Sequence, residues 1–156
     1  MKKILLVSAI LAALVGCSSD SVEPTADELT HLLLNGTWLS DCLENASTSF
    51  KKQYTFNDGV GEEVISTYAN ATCIGTATAG MVTFTYTFGD DVTLDGSVAS
   101  ITAAQQINLT FDGSGEEQFN IFAIKDLITF YLGAEDGATP ETRPTQLIDI
   151  PHAIQL

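Results

Sequence analysis

The feature that most constrains this chain is a change of period at Thr37, beyond which apolar side chains recur at every second position in short segments rich in Thr, Val, Ile, Phe and Tyr. The clearest segment is Met81 to Phe88, where Val82, Phe84, Tyr86 and Phe88 share one face and Thr83, Thr85 and Thr87 share the other. One face belongs to a core and the other to water. Similar runs are Trp38–Leu43, Phe50–Phe56, Glu63–Tyr68, Val98–Thr102, Ile107–Phe111, Gln118–Lys125 and Leu127–Leu132. Asn57-Asp58-Gly59, Gly89-Asp90-Asp91, Asp95-Gly96 and Asp112-Gly113 separate them as turns. The fold class is therefore all-β. About eight short, evenly spaced strands in one domain predict a closed or nearly closed antiparallel barrel, or failing that a sandwich. A membrane-spanning barrel is disfavoured, because its strands need about ten residues each with an apolar outside.

The segment before the strands reads differently. Thr25-x-x-Glu28 forms a capping-box pattern ahead of Leu29, Leu32, Leu33 and Leu34, and Asn35-Gly36 supplies a stop, so the spacing predicts one short helix over 25–35. Its apolar side must pack on the β domain, 36–156. Ser18 to Pro24 is small, polar and ends in Pro, as a tether does, over 17–24.

The first residues, Met1-Lys2-Lys3 and then the apolar run Ile4 to Val15, have the layout of a secretory signal peptide, 1–16. The run is too short for the roughly 20 residues of a spanning helix. Its end, Leu14-Val15-Gly16-Cys17, resembles the bacterial lipobox. That resemblance implies a diacylglycerol thioether on Cys17, cleavage before it, and an N-acyl chain such as palmitate afterwards. Two or more acyl chains give stable anchoring without a span. The expected partner is thus a membrane, reached through the lipid on Cys17. Ser18 directly after Cys17 matches the enterobacterial pattern for transfer to the outer membrane, so the expected location is the cell envelope at the outer membrane.

Removal of 1–16 would leave Lys51, Lys52, Lys125 and Arg143, four basic residues against 20 acidic ones, and hence a net charge of −16. A field of that sign repels nucleic acid, which is excluded as a partner.

With Cys17 consumed by lipidation, two cysteines remain, Cys42 and Cys73, in an exported and oxidising compartment. They are expected to pair as a disulfide. The competing reading, buried or metal-binding thiols, lacks nearby His or Cys partners.

Gly36-Thr37-Trp38, Cys42, Phe50, Tyr54-Thr55-Phe56, Tyr68 and Cys73, followed by Tyr131-Leu132-Gly133 and Arg143-Pro144-Thr145, form an ordered series. The Gly-x-Trp start resembles that of lipocalin-like barrels. The fuller series is similar to the lipocalin-like half-barrel domain of the adenomatosis polyposis coli down-regulated Wnt inhibitor, and to small bacterial lipoproteins of that pattern. The resemblance implies a curved antiparallel sheet around an apolar cavity, a Cys42–Cys73 bridge, and binding of a hydrophobic small molecule such as an acyl chain. On that reading Trp38, Tyr54, Phe56, Phe84 and Tyr86 are the candidate ligand-binding residues, and the plain alternative makes all five core. The chain departs from the pattern in carrying one copy of the domain, and in Cys42-Leu43-Glu44, which lacks the Arg-Pro-Gly continuation.

Catalytic chemistry is not suggested. His31 and His152 sit in no spacing that pairs either with a nucleophile or a metal, and the acidic turns do not match a calcium loop. No enzyme, metal or cofactor is expected. The four Asn-x-Ser/Thr matches, at Asn35, Asn45, Asn70 and Asn108, read as chance in a bacterial lipoprotein. Arg143 is expected in a surface or strand-end ion pair. Two functions follow: an envelope lipoprotein that binds or shields an apolar ligand in its barrel, or a structural or interaction module of the envelope whose barrel is filled by its own side chains.

Overall fold

The alternating sequence closes on itself. The computed structural model describes residues 26–134 and 137–155. The signal peptide, Cys17, the tether and Thr25 lie outside the described residues. Helix α1 (Ala26–Leu34) leads into β1 (Gly36–Ser40), β2 (Leu43–Asn45), β3 (Thr48–Asn57), β4 (Val60–Tyr68), β5 (Ala77–Val98), β6 (Ile101–Phe111), β7 (Glu117–Lys125), β8 (Thr129–Leu132) and β9 (His152–Gln155). The strand order is β1-β9-β8-β7-β6-β5-β4-β3-β2, and β1 also pairs with β3. That last pairing, with Trp38 opposite Tyr54, closes an eight-strand antiparallel barrel and leaves β2 as an extra strand on β3.

Turn chemistry explains most of the meander. Asp58 and Gly59 have φ of 46° and 88°, the left-handed pair that a two-residue hairpin between β3 and β4 requires. Asn35, just past α1, holds this turn from both sides: its Nδ2 donates to Asp58 Oδ1 at 2.7 Å, and its Oδ1 accepts from Asp58 N at 3.0 Å.

Two other turns use the same backbone conformation without glycine, Ala99-Ser100 (φ 51° and 68°) and Asp126-Leu127 (φ 54° and 63°). The strand expected over Val98–Thr102 therefore spans a turn, and the one expected from Leu127 starts only at Thr129. Gly89-Asp90-Asp91, expected as a turn, is a bulge inside the 22-residue β5, where the register with β6 slips between Phe88 and Asp91. β9 was not foreseen. It pairs with β1 on one side and β8 on the other.

Two apolar clusters result. Inside the barrel, Trp38, Tyr54, Phe56, Phe84, Tyr86, Ile107, Leu109, Phe122, Phe130 and Leu132 pack together with Leu34 of α1. Gly61 belongs to this lining, since a Cβ there would collide with the Phe84 ring. Outside the barrel, Leu94, Ala104, Ile121, Ala123, Tyr131 and Leu147 form a second cluster on the outer face of β6, β7 and β8. The segment after β8 covers that face: Ala134 N donates to Gln146 O, Ile148 N to Leu132 O, and Asp95 N of β5 to Thr145 O.

Candidate functional site

α1 closes one end of the barrel. Leu34 is fully buried over the lumen, and the Trp38 indole Nε1 donates to Leu34 O at 2.8 Å, satisfying a helix-end carbonyl that would otherwise lack a partner. His31 lies against Tyr86 and Phe88, with ring centroids 5.4 and 4.6 Å away, and its Nδ1 is 3.3 Å from the Tyr86 hydroxyl. Burial holds the Tyr86 phenol above its ordinary pKa, outweighing a backbone hydrogen bond from Gly59.

The opposite end is less filled. There the lumen keeps a partly enclosed space of about 130 Å³. Its apolar lining comes from Phe56, Ile65, Phe84, Ile107, Leu109, Phe111 and Leu132, while Lys52, Tyr54, Glu63, Gln118 and Asn120 bring polar atoms to it. The strand period produces this arrangement, because Lys52, Tyr54 and Phe56 are alternate residues of β3 and so face one way. Glu63 stands opposite Tyr54 in the β3–β4 register. The Tyr54 hydroxyl donates to Glu63 Oε1 at 2.8 Å, and Lys52 Nζ is 3.5 Å from the same oxygen. A carboxylate, an ammonium and a phenol thus converge at the mouth.

His152 stands beside this group. It is 2 % exposed and packs edge-on against Tyr54 and Phe130, with centroids 5.4 and 5.8 Å away. Neither ring nitrogen has a hydrogen-bond partner among the described residues. Burial pushes its pKa down. The backbone at Ile150 and Phe130 opposes that shift in part, from positions that do not complete a hydrogen bond. The imidazole is accordingly neutral near pH 7.

The five candidate ligand-binding residues divide. Tyr54, Phe56 and Phe84 line the space; Trp38 and Tyr86 lie outside its lining, toward α1. All five are 7 % exposed or less and pack on one another as core. Lys52, Glu63 and His152 were missed as candidates. The signal for the first two was present in the alternation itself, since both fall on inward positions of otherwise apolar faces.

Cys42 and Cys73 are bonded, joining the chain after β1 to the loop after β4. Arg143 makes no ion pair among the described residues. Its guanidinium instead donates to the carbonyl oxygens of Ile107 and Asn120 and to Asn108 Oδ1, and lies 5.5 Å from the Phe119 ring centre. It fastens the covering segment to β6 and β7. Among the described residues no group of three or more His, Cys, Asp or Glu is placed to hold a metal, and no helix is long and apolar enough to cross a membrane. No family model matches the chain, and no curated protein matches it in sequence.

Proposed function

We propose that this chain is an envelope lipoprotein, anchored through Cys17 at the outer membrane, whose barrel binds a small molecule with an apolar group of about ring size. It acts as a binding module and not as an enzyme. The observation that carries the reading is the space at the open end, which joins an apolar floor to a polar mouth. Its 130 Å³ sets the scale. An engineered apolar cavity of roughly 150 Å³ admits a benzene ring, whereas pockets for drug-sized ligands run to about 300–1,000 Å³. The volume therefore favours a short acyl or single-ring group over a whole acyl chain. Lys52 is placed to donate to an oxygen-bearing head group, and Glu63 and the Tyr54 hydroxyl oxygen, whose proton goes to Glu63, to accept from a donor.

The tightly packed aromatic lumen supports a second reading, in which the barrel is filled by its own side chains and the acidic surface meets another envelope component.

Titration followed by two-dimensional NMR separates the two. The binding reading predicts saturable shifts at Leu109, Leu132 and Phe84 with an alcohol or carboxylate of about six carbons, and far weaker ones with a long-chain fatty acid. Enlarging Leu109 (Leu109→Phe) should abolish them. Shifts confined to the outer surface would favour the interaction module.

A further inference from the structure

The closed end of the barrel carries an apolar surface that its position accounts for. Leu32 and Leu33 of α1 are 66 % and 48 % exposed, and Leu127 and Ile128 in the β7–β8 turn are 63 % and 57 % exposed. Single exposed apolar residues are ordinary, but these belong to one end of the molecule. Leu33 borders a shallow groove with Phe122, Ala123 and Ile124 of β7, and the β7–β8 turn begins two residues beyond Ile124. Ile128 O accepts from Ile154 N, and the Ile154 side chain lies over Gly36, directly after α1. Helix and turn tip thus flank the same closure.

We propose that this end rests on a phospholipid leaflet, with Leu32, Leu33, Leu127 and Ile128 in the interface of a zwitterionic membrane. The inference rests on the reading that Cys17 is acylated. Eight residues separate Cys17 from Ala26. Fully extended, they reach roughly 30 Å, so α1 stays within that distance of the acyl chains. Away from this end, exposed Ile74 lies in the loop after β4, and exposed Met81 and Val82 lie partway along β5, opposite Val64 and Glu63 of β4. A ten-residue strand such as β3 is itself about 33 Å long.

Charge selects the lipid. Asp58, Asp91 and Asp126 stand at the closed end against Lys125, which disfavours anionic headgroups and leaves apolar contact as the attraction. The anchor holds the surface at high effective concentration, so a small buried area suffices.

The test uses the full-length protein purified from bacterial membranes and placed in phosphatidylcholine nanodiscs containing a nitroxide-labelled lipid. Its intact mass first reports whether Cys17 carries acyl chains. With acylation present, the amides of Leu33, Leu127 and Ile128 should be broadened several-fold more than those of Ile74 and Met81. The triple variant Leu32→Ser, Leu127→Ser, Ile128→Ser should lose that difference while unfolding at an unchanged temperature. Equal broadening at both ends, or the reverse order, in acylated protein overturns the docking and leaves the anchor standing. A mass without acyl chains overturns the anchor, and the docking with it.

Discussion

The two halves of the barrel wall are built differently. β4 contains no fully buried residue, and along β5 from Thr83 to Thr87 buried aromatics alternate with exposed threonines, so the outside of this half meets water. In β7, four consecutive residues from Asn120 to Ala123 are buried, and in β8 three, Phe130 to Leu132. That half is covered on both faces, by the lumen inside and, outside, by the end of the β5–β6 hairpin from Val92 to Ala104 and by residues 137–148. A barrel can thus be a single-faced sheet on one side and a sandwiched one on the other. The half with a bare outer face contributes Lys52, Tyr54 and Glu63 to the mouth of the lumen, and the covered half contributes Gln118 and Asn120.

The largest expected effect comes from breaking the cluster shared by both halves. Phe130 is fully buried and its ring meets Trp38, Tyr54, Phe56, Phe122 and His152. Phe130→Ala should cost about 3–5 kcal/mol in denaturant unfolding, whereas Thr85→Ala on the wet outer face should stay within about 0.5 kcal/mol.

Second in size is the disulfide, which ties together the half that lacks an outer cover. Closing 31 residues is worth about 3–4 kcal/mol in the chain-entropy treatment. Reduction should lower the unfolding temperature by roughly ten degrees in calorimetry. A change under two degrees would mean that β3 and β4 hold themselves.

The outer cover itself is sharpened by two substitutions. Leu147 is 5 % exposed in the outer cluster, and Leu147→Ala should cost about 2–3 kcal/mol. Arg143→Met keeps much of the stem but leaves the Ile107 and Asn120 carbonyls without this donor, for about 1–3 kcal/mol. Hydrogen exchange should then speed up in β7 and β8 more than in β4. Equal acceleration everywhere would dissolve the distinction between the halves.

Legibility in the sequence followed the same division. The alternation of Phe84, Tyr86 and Phe88 with threonines was readable because only one face is buried. The pairing of Cys42 with Cys73 followed from their number and expected compartment. The outer cover was not readable: the run from Phe119 to Ile124, with only Asn120 polar, looked like one more strand, and nothing local says what lies on its second face. Ala99-Ser100 and Asp126-Leu127 hid as turns because neither contains glycine and three of their four left-handed residues, all but Asp126, have no preference for that conformation. β9 is four residues and gains its place only by filling the gap between β1 and β8. Lys52 and Glu63 meet across the β3–β4 hairpin, whereas His152 joins them only through the closure of the barrel by β9, which no local spacing encodes.

The smallest effect concerns pH. His152 has its pKa pushed below the usual 6.5 by burial, so the folded protein resists a proton that the unfolded chain accepts. The neutral form's stability is fully present above pH 6.5 and falls as pH drops toward the folded pKa, by less than about 1.4 kcal/mol per unit. Between pH 7.5 and 5.5 the unfolding temperature should decline in the native protein and less steeply in His152→Leu. Identical slopes would show that this imidazole gains a proton as easily folded as unfolded.

The most direct test of the central claim is native mass spectrometry of the protein taken from its own envelope, compared with the same sample after denaturation. A ligand in the lumen should appear as a non-covalent adduct of small mass that denaturation releases and that Leu109→Phe never carries. Equal masses before and after denaturation, or an adduct retained by the filled variant, would contradict a ligand in the lumen.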